Sequence, residues 1–283
     1  MNIQSLSIVV PTGTCWNHCA FCVSRMHNEN YGDNLNFNTI PERYIDKMEF
    51  VREEGCNSMI ITGTAEPQQN LPFIYKMLKA NRLMRKPFYN IAIQTTGSGL
   101  TPIDIRNLAE AGVTTLALSV NSFYPIENWD ITHTPQNKRI MTIAQLIDEA
   151  KHCHLNVRVC LNLTDAFIKF DPDFFFAWAD FYNVDQLTFR KIYKSGNGKE
   201  ANWVEKHEYP EAKFKEIIDY VCDKGVAIAR LPYGFIQYSV DGISTVVDTN
   251  CMSKDSIDEM KYAILRPNGH LYSRWDDKGS LIF

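Results

Sequence analysis

Short apolar runs alternate with amphipathic stretches along most of the chain. Runs at 5–10 (SLSIVV), 58–63 (SMIITG), 90–97 (NIAIQTTG), 114–122 (TTLALSVNS), 156–164 (NVRVCLNLT), 186–193 (QLTFRKIY) and 226–231 (VAIARL) predict strands. Between them, helical apolar spacing predicts helices over 41–55, 70–84, 101–112, 138–155, around 172–182 and around 213–225. The third of these reads as a capped unit, with Thr101 before it, Pro102 in its first turn and Gly112 at its end. Apolar strands alternating with helices predict an α/β fold with a parallel sheet covered by helices. Six or seven such units imply a partial TIM barrel, (β/α)6-like, rather than a short open sheet.

The pattern changes near residue 232. FIQYSV and ISTVV flank Asp241-Gly242, and MKYAILRP and HLYSRW flank Asn268-Gly269. Both dipeptides suit hairpin turns, where the central positions take positive φ. Residues 1–232 are therefore expected to form the barrel. Residues 233–283 are expected to be a C-terminal extension of antiparallel β-hairpins packed on it. SGNGKE (195–200) reads as a flexible loop.

Composition narrows the function classes. A chain of 283 residues with 45% hydrophobic positions can bury a sizeable core. A net charge of −4 argues against a dedicated nucleic-acid binder. The N-terminus lacks a basic region followed by an apolar run, so it is not read as a secretory signal. No apolar stretch approaches the roughly 18 residues that span a membrane. These features predict a soluble cytoplasmic protein with no membrane partner. In that compartment the eight cysteines are expected to be mostly reduced, so a cysteine cluster reads as metal binding or catalysis.

Such a cluster stands after the first strand: CWNHCAFC, with Cys15, Cys19 and Cys22. Structural zinc takes four ligands, commonly as two separated pairs, and no second pair is present. His18 could complete a Cys3His zinc site, but ligation by adjacent His18 and Cys19 is sterically awkward. Iron–sulfur clusters are also held by thiolates. Three cysteines would ligate three irons of a four-iron cluster and leave the fourth iron open for chemistry.

This spacing, with Phe21 before the last cysteine, resembles the radical S-adenosylmethionine (SAM) superfamily. The resemblance covers about residues 5–232 and looks closest to the group containing cyclic pyranopterin synthases and peptide-modifying enzymes. It implies that Cys15, Cys19 and Cys22 hold a [4Fe–4S] cluster whose open iron is chelated by SAM. It also implies reductive SAM cleavage to a 5′-deoxyadenosyl radical that abstracts hydrogen from a substrate. ITGTAEP (61–67) looks like the family's glycine-rich segment, with Thr64-Ala65 in place of a second glycine. There Gly63 and Thr64 would give backbone access to the methionine amino group and Glu66 an anionic acceptor. The same resemblance points to Thr95 or Thr96, Ser119, Asn121 or Ser122, and Asn162 as SAM contacts, and to Arg190 as a partner for its carboxylate. All lie late in their strands, at the mouth where barrel enzymes put their chemistry.

The chain parts from many of those relatives in lacking the cysteines for an auxiliary cluster. Cys251 is the only cysteine after residue 222; it is a candidate hydrogen donor to a substrate radical. Cys56, Cys153, Cys160 and Cys222 read as small buried hydrophobes. Asn17, Arg25, Glu127, Asp130, Lys191, Lys194 and Arg230 are candidates to face a substrate, the cations suiting a phosphate or carboxylate. Tyr124 and Trp129 could form an apolar lid. The expected activity is radical chemistry on a small molecule, a nucleoside or nucleotide among the candidates, with an electron donor such as flavodoxin or ferredoxin. Modification of a peptide or protein side chain is the alternative, and a non-enzymatic iron–sulfur or zinc protein a further one.

Overall fold

The computed structural model describes residues 2–27, 31–33, 40, 42–231, 235–248 and 259–283. Each early strand of the sheet is followed by a helix. The order begins β1 (Asn2–Val9), α1 (Val23–Met26), α2 (Glu42–Glu53), β2 (Ser58–Thr62), α3 (Leu71–Arg82), β3 (Asn90–Thr95), α4 (Pro102–Ala111) and β4 (Thr115–Val120). It continues through α5 (Pro125–Ile131), α6 (Ile143–His152), β5 (Asn156–Leu163), α7 (Pro172–Phe181), β6 (Gln186–Lys191), α8 (Lys199–Lys206) and α9 (Glu211–Lys224). The C-terminal strands are β7 (Val226–Arg230), β8 (Ile236–Val240), β9 (Ile243–Asp248), β10 (Glu259–Leu265) and β11 (Leu271–Tyr272).

All eleven strands belong to one sheet, in the order β11-β10-β1-β2-β3-β4-β5-β6-β9-β8-β7. From β10 through β9 every neighbouring pair is parallel. This is the partial barrel expected from the alternation. The strands carry the apolar core, with Leu6, Ile8, Met59, Ile61, Ile93, Leu118, Val159 and Phe189 at 1% exposure or less. Helix stripes pack against it, such as Ile105 and Leu108 of α4 and Leu146 and Ile147 of α6.

The C-terminal hairpins are present, and two of their strands also complete the barrel sheet. β9 pairs antiparallel with β8 but parallel with β6. β10 pairs antiparallel with β11 but parallel with β1. The sequence reading placed 226–231 as a further barrel strand. Instead, β7 pairs antiparallel with β8 at the outer edge, and all five of its residues are exposed. β9 takes the place beside β6 because Ile243, Thr245 and Asp248 are buried there, an inward face that β7 lacks. Asp241 and Gly242 both take positive φ, as the turn chemistry predicts. At the second turn only Gly269 does; Asn268 donates instead to the Tyr31 carbonyl (2.8 Å) and the Tyr272 hydroxyl (2.9 Å).

Two helix limits shift. Thr142 and Gln145 form a capping box that starts α6 at Ile143, later than the apolar spacing alone places it. α8 begins at Lys199, inside the stretch read as loop.

β9 and β10 stand toward opposite flanks of the parallel run, yet their side chains meet. Lys261 Nζ of β10 donates to both carboxylate oxygens of Asp248 of β9, each at 3.1 Å. Arg190 Nε of β6 lies 3.8 Å from the same carboxylate. Asp248 and Lys261 are both buried. Strand tilt and stagger in a barrel bring the end of one strand level with the start of another, and here a charge pair spans that seam.

Candidate active site

The loop after β1 carries Cys15, Cys19 and Cys22, all three free and half-buried. Three neighbouring segments hold it. Trp16 donates its backbone N–H to Gln69 Oε1 (3.1 Å) and its indole N–H to Ser98 Oγ (2.8 Å). Asn17 Nδ2 reaches Glu66 Oε1 (3.2 Å), Thr96 Oγ1 (3.0 Å) and Ser98 Oγ (2.9 Å). The backbone N–H groups of His18 and Ala20 donate to Thr132 and Ile131 at the end of α5 (3.0 and 3.1 Å). The loop is thus tied to the segments after β2, β3 and β4.

Glu66 is the hub of this network. Its carboxylate accepts from five donors: Asn17 Nδ2, Thr96 Oγ1 (2.9 Å), Thr96 N (3.1 Å), Gln68 Nε2 (2.9 Å) and Thr95 Oγ1 (2.5 Å). Gln68 also donates to the Ser98 carbonyl at 2.7 Å. A carboxylate offers about four lone-pair sites, so the shell around Glu66 is full. The sequence marked Glu66, Thr95 and Thr96 as separate ligand contacts, whereas the structure binds them to one another. Gln68 and Ser98 escaped the sequence reading, since isolated polar residues in loops carry no periodic signal.

Electrostatics couple the ionisation of the three sulfurs. Burial pushes the Cys19 thiol well above its ordinary pKa, and the charges of Glu66, Cys22 and Cys15 push in the same direction. Burial also raises Cys15, with Glu66 and Cys22 adding to the rise, while backbone N–H groups of Glu66 and Asn17 oppose it. Three thiolates and a carboxylate in one pocket therefore repel one another until a cation joins them, and a bound metal inverts that balance. Among the described residues no group of three or more His, Cys, Asp and Glu side chains converges as around a single metal ion. A four-iron cluster asks for a different arrangement, one thiolate for each iron. The soft donor set fits such a cluster.

Gly97 keeps the β3 end of the network in place. Its φ is +83°, and a Cβ there would lie 2.2 Å from Leu146 Cδ1. Its N–H donates to Thr95 Oγ1 at 2.8 Å. Gly97→Ala is expected to destabilise the fold by more than about 1 kcal/mol, through backbone strain and overpacking together. A urea titration followed by circular dichroism measures this.

The other marked polar residues lie on the later strands. Ser119 Oγ accepts from Gln94 Nε2 at 2.8 Å. Asn121 donates its backbone N–H to Asn128 Oδ1 (2.8 Å), and its Oδ1 accepts from Asn162 Nδ2 (2.9 Å). Ser122 bonds to Glu127 and receives the Tyr124 N–H, so it serves the start of α5. Arg190 faces Asp248. Gly63 sits in a tight turn, where a Cβ would lie 3.2 Å from the Ala65 carbonyl, and Thr64 is exposed. Phe21 packs on Trp203 of α8, with ring centroids 5.8 Å apart.

The cations read as phosphate partners are taken by acids. Arg25 lies 3.9 Å from Glu200, Lys194 lies 2.8 Å from Glu205, and Lys191 pairs with Glu211. Arg230 is exposed on the outer strand β7, away from the parallel run. Cys56 and Cys160 are buried as expected. Cys153 is half-buried, and Cys222 is exposed beside the Tyr238 hydroxyl, so those two are not core positions. Cys251 lies outside the described residues.

A cleft of about 720 Å³ opens beside Ala20 of the cysteine loop. α5 contributes Ile126, Glu127 and Asp130, the turn after β5 contributes Asp165, and α8 with its end contributes Trp203 and His207. His207 Nδ1 lies 2.9 Å from Asp165 Oδ2, and its ring stacks on Trp203 at 4.2 Å. Tyr124 lines the cleft under Lys169, but Trp129 packs under Arg139 instead. Trp203 and His207 escape the sequence because the stretch holding α8 opens with two glycines and reads as loop, and Asp165 because a single acid after a strand carries no periodic signal.

The family model described as the radical SAM superfamily matches residues 9–169, more than half of the chain. The chain belongs to the radical SAM superfamily. Members are enzymes that use a [4Fe–4S] cluster and SAM. No curated protein matches the sequence. Solved radical SAM structures resemble the whole fold. SuiB of Streptococcus suis with bound S-adenosylmethionine aligns with a TM-score of 0.63 at 15% identity, over 99% of this chain and 67% of that one. anSMEcpe with bound AdoMet and the Kp18Cys peptide aligns with a TM-score of 0.63 at 11% identity, over 99% and 77%. HydG, a maturase of the [FeFe]-hydrogenase, gives 0.54 at 13% identity, over 77% and 48%. At such identities the likeness is one of fold. Among the described residues no helix is long and apolar enough to cross a membrane.

Proposed function

We propose that Cys15, Cys19 and Cys22 hold the [4Fe–4S] cluster and that the substrate occupies the cleft beside Ala20. With SAM bound, the cluster supplies one-electron cleavage of SAM, yielding a radical that abstracts hydrogen. The chain's own part is to bind, orient and shield. Ser119, Asn121, Asn162 and Arg190 line the strand ends where SAM would lie. Phe21 of the cysteine loop packs on Trp203, which lines the cleft.

The observation that carries the substrate reading is the cleft itself. Its volume of about 720 Å³ is in the range of small-molecule sites. Glu127, Asp130 and Asp165 line it with Lys169; Asp130 is paired with Arg139 and Asp165 with His207, just as the nearby cations are paired with acids. With most of its charges already paired, the cleft favours a neutral molecule, a nucleoside rather than a nucleotide. The second reading is a peptide side chain. SuiB bound to its precursor peptide SuiA and anSMEcpe with bound peptide share the fold, and the cleft lies open at the surface. In either case we place the enzyme in the cytoplasm, with a flavodoxin or ferredoxin as electron donor.

The test follows 5′-deoxyadenosine by mass spectrometry from anaerobically reconstituted, reduced protein with SAM. A peptide-free metabolite extract and a peptide fraction are added separately. Stimulation by the metabolite extract is expected. Stimulation by the peptide fraction alone selects the second reading. A cluster-loaded protein that forms no 5′-deoxyadenosine under any condition overturns both.

A further inference from the structure

One imidazole in the cleft is fixed more firmly than its neighbours. His207 Nδ1 lies 2.9 Å from Asp165 Oδ2. A carboxylate can only accept, so Nδ1 carries the ring proton and Nε2 keeps its lone pair. The ring stacks on Trp203, with centroids 4.2 Å apart. The backbone closes the arrangement. His207 donates its N–H to the Trp203 carbonyl (3.0 Å), and its own carbonyl accepts the Asp165 N–H (3.1 Å). Nε2 has no hydrogen-bond partner among the described residues. Other polar groups of the cleft are engaged: Glu127 accepts from Ser122, Asp130 from Arg139, and Lys169 lies over the Tyr124 ring. Stability does not account for the clamp on His207. The His207 and Asp165 side chains are 35% and 45% exposed, and so open a pair contributes little. The backbone bonds already join α8 to the turn after β5. What the carboxylate adds is a fixed tautomer and a fixed ring orientation.

We infer that His207 is a catalytic base, and that the substrate carries a hydroxyl on the carbon that loses hydrogen. This rests on the reading of the cleft as the substrate site. Nε2 takes the hydroxyl proton. The O–H bond breaks, its electron pair stays on oxygen, and an N–H bond forms at Nε2. Asp165 is a positioning residue, and its charge opposes the positive charge that the ring acquires. The deprotonated oxygen pushes electron density onto its carbon and weakens the adjacent C–H bond, from which the hydrogen atom leaves. Nε2 then returns its proton to the oxygen, so the step calls for no further oxidant or reductant. A cleft suited to a neutral molecule favours a hydroxyl over an ammonium group, and the sugar of a nucleoside has such carbons. Phe21 packs on Trp203, which links the imidazole to the cysteine loop.

The test measures 5′-deoxyadenosine from cluster-loaded protein with SAM and whichever fraction, metabolite extract or peptides, stimulates the wild type. His207→Ala is expected to lower the stimulated rate about a hundredfold, the lower end of what a positioned base contributes. Added imidazole should restore much of that loss. Pyrazole has the same size but is barely basic, and should restore nothing. Equal rescue by both rings would mean that His207 only fills space, which overturns the inference. So does a stimulated rate that His207→Ala leaves unchanged, a result that spares the cleft reading. Should the alanine variant fail to take up a cluster, Asp165→Asn decides. A stimulated rate lowered about tenfold or more supports the inference, since the ring then loses its tautomer; an unchanged rate overturns it. Acetylating the hydroxyls of the fraction should abolish its effect, and a fraction that still stimulates overturns the assignment of a hydroxyl. A wild-type protein that no fraction stimulates refutes the cleft reading itself, and the base with it.

Discussion

Cys19→Ala is expected to abolish cluster assembly and SAM cleavage while leaving the fold intact. The two halves of this result rest on different bonds. The loop is held by backbone N–H groups of Trp16, His18 and Ala20 and by the Asn17 and Trp16 side chains, none of which uses a cysteine sulfur. Removing a thiol therefore leaves those ties in place. On the proposed assignment metal uptake depends on the sulfurs, since among the described residues no other group of His, Cys, Asp and Glu side chains gathers as around a metal ion. Burial and the charges of Glu66, Cys22 and Cys15 all oppose ionisation of Cys19, and a bound cation relieves that opposition. Cys15→Ala and Cys22→Ala are expected to behave alike. Iron analysis should fall from about four irons per chain to near none, with an unchanged far-ultraviolet circular dichroism spectrum. A variant that still cleaves SAM would remove the assignment of these cysteines.

The second large effect concerns the seam. Asp248→Leu takes from Lys261, buried beside Phe235 and Tyr262, the carboxylate it donates to. Breaking a buried pair from one side costs about 3–5 kcal/mol, chiefly from the charge left behind. Lys261→Met should cost less, since Asp248 keeps Arg190 at 3.8 Å. Asp248→Leu combined with Lys261→Met should recover much of either loss, because an apolar pair of similar volume replaces two desolvated ions. Urea midpoints of the three variants measure the coupling. If the single losses simply add, the pair does not join the two strands energetically.

The alternation of strands and helices was legible in the sequence because burial imposes it: a parallel sheet covered by helices needs continuous apolar runs. The cysteine spacing was legible because three soft ligands on one loop are chemically unusual. The arrangement of the C-terminal strands was not. Asp241-Gly242 specifies a hairpin between β8 and β9, but a turn says nothing about which strand lies on the far edge of each partner. The buried face of Ile243, Thr245 and Asp248 sets β9 beside β6. The site was half legible for a similar reason. Glu66, Thr95 and Thr96 were picked out one at a time, while their mutual bonding depends on distances across three loops. Trp203 and His207 sit one helical turn apart on α8 and its end, in a stretch that two glycines disguise.

The pairing of β1 with β10 bears on how the chain acquires its structure. Ser5 Oγ reaches the Lys261 carbonyl across 256 residues of sequence. During synthesis the first strand emerges long before the strand that covers its outer edge. Until then β1 presents unpaired N–H and C=O groups, a template for unwanted pairing with other chains. Contacts so distant in sequence also slow folding, since the loop must close before they contribute. The last strands of the chain thus set when the first is protected, and shortening the C-terminus should be felt first as aggregation of nascent protein.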